Sequence, residues 1–240
     1  KGMGLVSDVF TTDVLRGLSG HAAIGHVRYS TTGSSLLKNA QPLLVDYSRG
    51  SLAVAHNGNL VNAKLLRDEL EAYGSIFQTT VDSEIILHLM ARPMHARRED
   101  SLTHCLKRIK GAYSLLLLTE DEMIGIRDPN GFRPLCIGRM DGAYVFASET
   151  CALDLIHAEY IRDVEPGEAV FVNANGMRSI YPFKGENIKR SYCIFEHVYF
   201  ARPDSMVFGE SVHLVRKKLG QHLAKEHPVE AEIVIPIPDS

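Results

Sequence analysis

Three short polar segments hold the residue types that handle a small zwitterion and a reacting carbonyl. Gly25-His-Val-Arg-Tyr-Ser-Thr-Thr-Gly33 follows one apolar run, His56-Asn-Gly-Asn59 follows another, and Val81-Asp-Ser-Glu84 precedes a third. An Asn-Gly step at a strand end exposes backbone N–H groups, because Gly58 tolerates close approach and positive φ. Two such donors aimed at one point hold an oxyanion during acyl transfer. Arg28 offers a planar fork that grips a carboxylate, and Asp82 offers the opposite charge for an ammonium group. Singly, each has a plainer reading: Asn57-Gly58 as a turn, Asp82 as a helix cap, Arg28 as a surface ion pair.

The elements that must position these residues are legible from periodicity. Ala22–Tyr29 and Leu52–Ala55 read as strands that deliver the first two segments. Asn62 is expected to cap a helix over Ala63–Tyr73, with Leu66, Leu70 and Tyr73 on its inner face and Gly74 as its stop. Asp82 heads a second helix that buries Ile85, Ile86, Leu89 and Met90 and ends before Pro93. Ser101 caps a third, with Leu102, Cys105, Leu106 and Ile109 as its stripe. From Tyr113 the period falls to two. Tyr113–Thr119, Met123–Arg127, Leu135–Ile137, Ala143–Ala147, Ala169–Asn173 and Met177–Tyr181 read as strands joined by tight turns. Closely spaced hairpins imply antiparallel sheet, and helices grouped before them imply a layered α+β domain. Lys184–Ser191 reads as a linker. Beyond it come a helix from about Glu210 to Glu226 and an apolar strand, Val229–Ile237, which together suggest the opening of an α/β domain. The basic run Arg216-Lys217-Lys218 falls on the outer face of that helix.

Composition narrows the function classes. The 240 residues carry 26 Lys and Arg against 29 Asp and Glu, a net charge of −3, with 45% apolar residues. That balance excludes a strongly basic nucleic-acid footprint. The longest apolar stretch, Ala112 to Thr119, is far short of the roughly 20 residues of a spanning helix, and no secretory h-region follows Lys1. The sequence begins at Lys1 and ends at Ser240, straight after an apolar run, so it reads as a piece of a longer protein. Cys105, Cys136, Cys151 and Cys193 contain no C-x-x-C pair and read as reduced thiols. The histidines show no H-x-x-x-H or H-E-x-x-H spacing for zinc.

Taken together and in order, GHVRYSTTG, HNGNL and VDSE resemble the glutaminase domain of the N-terminal-nucleophile (class II) glutamine amidotransferases. RDPNGFRPL at Arg127–Leu135 and CIFEHVYFARPDS at Cys193–Ser205 are similar to the amidophosphoribosyltransferase family within that class. The resemblance implies a four-layer αββα glutaminase domain over 1–190, and over 191–240 a linker with the first helix and strand of a phosphoribosyltransferase domain. It implies transfer of the glutamine amide nitrogen to phosphoribosyl pyrophosphate, giving 5-phosphoribosylamine, glutamate and pyrophosphate, in the first step of purine synthesis. By the same resemblance Arg28 holds the glutamine α-carboxylate, Asn57 and Gly58 form the oxyanion hole, and Asp82 binds the ammonium. Tyr29 lies in the segment linked to communication between the two active sites.

Other expectations also come from the resemblance. Ser240 is a candidate Mg2+ ligand at the pyrophosphate loop. Cys193 is a candidate ligand of a four-iron four-sulfur cluster, for which thiolates are the expected donors. The implied partners are glutamine, phosphoribosyl pyrophosphate, inhibitory purine nucleotides and further copies of the chain in a dimer or tetramer, in the cytoplasm, with neither nucleic acid nor membrane. One departure stands out. The family nucleophile is an N-terminal cysteine, and here no cysteine precedes Cys105 and the upstream HRGQ segment is missing, so roughly 50 residues are expected ahead of Lys1. The alternatives left open are another class II amidotransferase and a non-catalytic glutamine-binding module without its nucleophile.

Overall fold

A computed structural model describes residues 1–28, 36–92 and 97–235. Two short helices, α1 (Val6–Val9) and α2 (Thr12–Arg16), lead into a hairpin of β1 (Leu43–Tyr47) and β2 (Gly50–Leu60). Three helices follow, α3 (Ala63–Ala72), α4 (Glu84–Ala91) and α5 (Arg98–Arg108). Next come β3 (Gly111–Leu118), β4 (Met123–Arg127), β5 (Cys136–Met140), β6 (Ala143–Ala147), α6 (Thr150–Leu155), β7 (Glu159–Asp163), β8 (Ala169–Asn173) and β9 (Gly176–Ile180). The last part holds a π-helical turn at Glu196–Phe200, a small hairpin of β10 (Met206–Val207) and β11 (Glu210–Ser211), and α7 (Val212–Glu226).

The strands form a six-stranded antiparallel sheet in the order β1-β2-β3-β4-β8-β9 and a three-stranded antiparallel sheet in the order β6-β5-β7. Strand side chains alternate faces, and here the alternation sorts two cores. Leu115 and Leu117 of β3, Ile124 and Ile126 of β4 and Phe171 of β8 face a helical layer that supplies Leu66, Leu70, Ile86, Leu89, Leu102 and Leu106. Leu116 and Val170 face the other way, onto Ile137 of β5 and Phe146 of β6. Gly125 sits where the two sheets meet: a Cβ there would lie 2.3 Å from the Phe146 ring, so only glycine lets the ring seat. On the outer face of the small sheet Leu153 of α6 packs with Cys136 and Ala158. The layers therefore run helices, sheet, sheet, helix, the αββα α+β architecture expected.

Several local expectations need correction. Residues 22–28 form no strand: the free edge of β2 is taken by β1, with Leu43 opposite Val54. Residues 229–235 also form no strand, since no sheet edge reaches them, and Val229 and Val234 are exposed. Asn62 makes no cap bond to α3; its amide instead donates to Arg108 O and accepts from Lys110 N–H, tying α3 to the end of α5. Ser101 lies inside α5, where its hydroxyl donates to Arg97 O.

Candidate active site

The candidate site is built on the far half of β2. The strand is buried from Leu52 to His56, exposed at Asn57, Gly58 and Asn59, and buried again at Leu60. Its first half is thus core and its second half a polar tip on a rigid support. Gly58 faces Tyr113 of β3 with φ of +148°, and a Cβ there would lie 2.0 Å from Ala112 O. No other residue fits that approach. Gly111 makes the reciprocal crossing, with φ of +143° and Asn59 O 2.2 Å from the Cβ it lacks.

Asp82 reaches the same strand. Its Oδ2 accepts the Leu60 N–H at 2.8 Å, and its Oδ1 lies 3.6 Å from His56 Nδ1. Asp82 is not the helix cap: α4 starts at Glu84 behind Ser83, which makes no side-chain cap bond. Burial pushes the Asp82 carboxyl up, but the His56 imidazole and the N–H groups of Leu60 and Ser83 outweigh it, so the group sits below the usual carboxylate range.

The turn carrying Asp82 is anchored on both sides. Asn39, fully buried, donates its amide to Thr80 Oγ1 at 2.9 Å and accepts Thr80 N–H at 3.1 Å. Glu84 accepts the N–H groups of Gln78 and Thr79 at 2.7 Å each and the Thr79 hydroxyl at 2.6 Å. Gln41, beside the cis bond to Pro42, grips the backbone of His56 with both ends of its amide. Sequence reasoning assigned no role to Asn39, Gln41 or Glu84; only Glu84, inside the VDSE segment, lay within a quoted motif.

Burial pushes the His26 imidazole pKa down, and the nearby His56 and Arg28 push it the same way. Arg28 itself is partly buried. Tyr29 and Ser240 lie outside the described residues.

None of three buried thiols suits a nucleophile. Burial lifts Cys105 and Cys136 to about 12 each, and Cys151 is raised by the same cause. Cys193, partly buried, is tied to Phe132 through its own N–H. Among the described residues no group of three or more His, Cys, Asp or Glu side chains suits a metal ion.

Residues 26–155, more than half of the chain and the part that carries this arrangement, match the sequence profile of the glutamine amidotransferase domain. The chain belongs to that glutamine amidotransferase domain family. The full-length likeness is narrower. The domain is 51% identical to the amidophosphoribosyltransferase of Bacillus subtilis over all of this chain and 50% of that protein. It is 54% identical to the chloroplastic amidophosphoribosyltransferase of Glycine max, over all of this chain and 42% of that one. A solved structure of the allosteric regulatory enzyme of purine biosynthesis superposes with a TM-score of 0.94 at 51% identity, covering 99% of this chain and 51% of that one. The Bacillus subtilis glutamine phosphoribosylpyrophosphate amidotransferase complexed with ADP and GMP follows at 0.92 and 50%, with the same coverage. The chain spans about half the length of the curated relatives it matches.

Proposed function

We propose that this chain is the glutaminase half of an amidophosphoribosyltransferase, which moves the amide nitrogen of glutamine to phosphoribosyl pyrophosphate and yields 5-phosphoribosylamine, glutamate and pyrophosphate. The observation that carries the reading is Asp82 bonded to β2 two residues beyond Gly58, which puts an acceptor for an ammonium beside a candidate oxyanion hole. In this reading the Arg28 fork takes the glutamine α-carboxylate and Asp82 takes the α-ammonium. The Asn57 amide and the Gly58 N–H receive the charge that develops on the amide oxygen. An N-terminal cysteine outside this chain supplies the thiol. Its sulfur bonds to the amide carbon, the C–N bond breaks, and ammonia leaves with the proton taken from the thiol. Water then hydrolyses the thioester to glutamate, and the ammonia displaces pyrophosphate at C1 of the acceptor.

The domain assignment we propose is 1–190 for the glutaminase and 191–240 for the linker and the first elements of the phosphoribosyltransferase. In support, α7 buries only Val212. We also propose Mg2+ at the acceptor site, purine nucleotides as inhibitors, a homo-oligomer, and the cytoplasm as compartment, although the soybean relative is named chloroplastic. No helix among the described residues is long and apolar enough to cross a membrane. For a four-iron four-sulfur cluster the resemblance implies Cys193 as one ligand with three partners towards the C-terminus, and the described residues supply one such donor. Cys193 offers one thiolate, while Cys105 and Cys136 lie in separate cores. No step is routed through it.

The test is expression from the complete gene, followed by incubation with amide-15N glutamine and phosphoribosyl pyrophosphate. Label in 5-phosphoribosylamine is the expected result. Label in a different acceptor would make the protein another class II amidotransferase, and glutamine binding without hydrolysis would make it a binding module.

A further inference from the structure

His56 stands immediately before Asn57, yet its side chain is only 1% exposed. Its Nδ1 lies 3.1 Å from Ser83 Oγ and 3.6 Å from Asp82 Oδ1, and Ser83 Oγ is 3.5 Å from the same carboxylate oxygen. A carboxylate only accepts, so the ring proton is assigned to Nδ1, where it is donated to Ser83 Oγ at 3.1 Å and faces Asp82 Oδ1 at 3.6 Å, beyond hydrogen-bond distance. The opposite nitrogen, Nε2, is buried and finds no hydrogen-bond partner among the described residues. An unmatched polar atom inside a fold is unfavourable and calls for an explanation. The Nδ1 edge supplies one.

We propose that His56 is a positioning residue that locks Asp82 to the tip of β2. This rests on the glutamine-site reading above and deepens it. Both oxygens of the carboxylate then face one strand, Oδ2 bonded to the N–H of Leu60 and Oδ1 set against the imidazole of His56 and linked to it through Ser83 Oγ. The strand between these anchors carries Asn57 and Gly58. The group that binds the substrate ammonium and the groups that receive the oxyanion are thereby held in one fixed relation. Gln41 completes the lock by holding the backbone N–H and C=O of His56 from the β1 side. The charged and titratable neighbours of the ring are Asp82, His26 and Arg28.

The experiment compares wild type with His56→Leu and His56→Asn in the protein expressed from its complete gene. Leucine removes the donor, and the asparagine amide restores one near the Nδ1 position. Two readouts are taken: the Asp82 carboxyl titration by 13C NMR, and KM and kcat for glutamine. In His56→Leu the Asp82 pKa should rise, and KM should rise about tenfold with a smaller change in kcat. His56→Asn should reverse both. An unchanged Asp82 titration in His56→Leu, or an asparagine variant as impaired as the leucine one, overturns the inference. If His56→Leu does not fold, His56→Gln replaces it, because its amide reaches towards Nε2 and not Nδ1; an unchanged Asp82 titration there overturns the inference equally. A wild-type protein unable to hydrolyse glutamine would refute the glutamine-site reading, while the Asp82 titration would still decide the role of His56.

Discussion

Replacing Asp82 by asparagine exchanges one oxygen for an amide nitrogen and removes one negative charge, with almost no change in volume. The asparagine oxygen can still accept the Leu60 N–H that Asp82 now holds at 2.8 Å. Its NH2 group must then face His56 Nδ1, 3.6 Å away in the parent, so a donor meets a donor where a donor had faced a carboxylate oxygen. For a glutamine ammonium the change removes a hydrogen bond to a charged acceptor, about 1.5–3 kcal/mol. That is roughly a 10- to 150-fold loss in kcat/KM for glutamine. In the protein expressed from its complete gene, and on the proposed function, the check is phosphoribosylamine formation measured side by side from glutamine and from ammonium salt, since free ammonia would bypass the glutamine pocket. Glutamine-driven synthesis should fall by that factor and ammonia-driven synthesis should be largely spared. Equal loss with both nitrogen sources would refute the assignment and leave Asp82 as a support of the fold. Stability gives a second view. The folded pKa of Asp82 lies below its ordinary 3.8, so its ionisation stabilises the fold above that pH and this contribution fades as pH falls through the lower folded value. The stability gap between wild type and Asp82→Asn should therefore close in acid below pH 3.8; a gap that persists there would contradict the ion-pair geometry.

Further outcomes follow from neighbouring features. Gly58→Ala forces a Cβ against Ala112 O and should lower the unfolding free energy by more than about 2 kcal/mol in urea denaturation; a midpoint equal to the parent's would refute the close crossing. Glu84→Ala leaves the Gln78 and Thr79 N–H groups without their acceptor and should cost about 3 kcal/mol and raise KM for glutamine, read by thermal melting and kinetics. Glu168, buried, accepts from Arg162 at 2.7 and 2.8 Å, from the Ser179 hydroxyl at 2.5 Å and from Glu165 N–H at 2.7 Å. Burial raises its pKa but these partners bring it below 4.5, so Glu168→Gln should destabilise the fold at pH 7 by roughly 2–3 kcal/mol, with the difference shrinking as pH falls below 4.5. In the native protein an aromatic disulfide reagent should label Cys193 first and leave Cys105 and Cys136 unreacted, since burial holds both near 12; rapid labelling of several thiols per chain would refute that burial.

What the sequence revealed depended on the range of the interaction. The stripes Leu66–Leu70 and Ile85, Ile86, Leu89, Met90 are local, and they placed α3 and α4 to within a residue or two. Strands β4, β6 and β8 coincide with their alternating runs. Asn62 misled because its partners, Arg108 and Lys110, lie more than 40 residues on, and a long-range pair outcompeted the local cap. The run 22–28 failed as a strand for a related reason: periodicity states which face is apolar but not whether a sheet edge is free. Asp82 and Asn57-Gly58 were singled out through their motifs, whereas Asn39 was not. Its bonds to Thr80 span 41 residues, and nothing in Lys38-Asn-Ala40 marks them.

The continuity of β2 from core to polar tip has a dynamic consequence. Proteins commonly place binding groups on segments of low local stability that open without global unfolding. Here the amide of Leu60 is held by Asp82 and that of His56 by Gln41, on a strand whose first half lies between β1 and β3 at the centre of the main core. Both acceptors sit outside regular elements, but the Asp82 turn is itself pinned by Asn39 and Glu84. With β2 paired to β1 and β3, exchange of these amides is expected to follow cooperative opening of the sheet, so the candidate oxyanion donors should keep their alignment until the domain itself is lost. Catalytic competence and global stability then become one quantity: under rising denaturant, activity declines along the unfolding curve, with no earlier phase of its own.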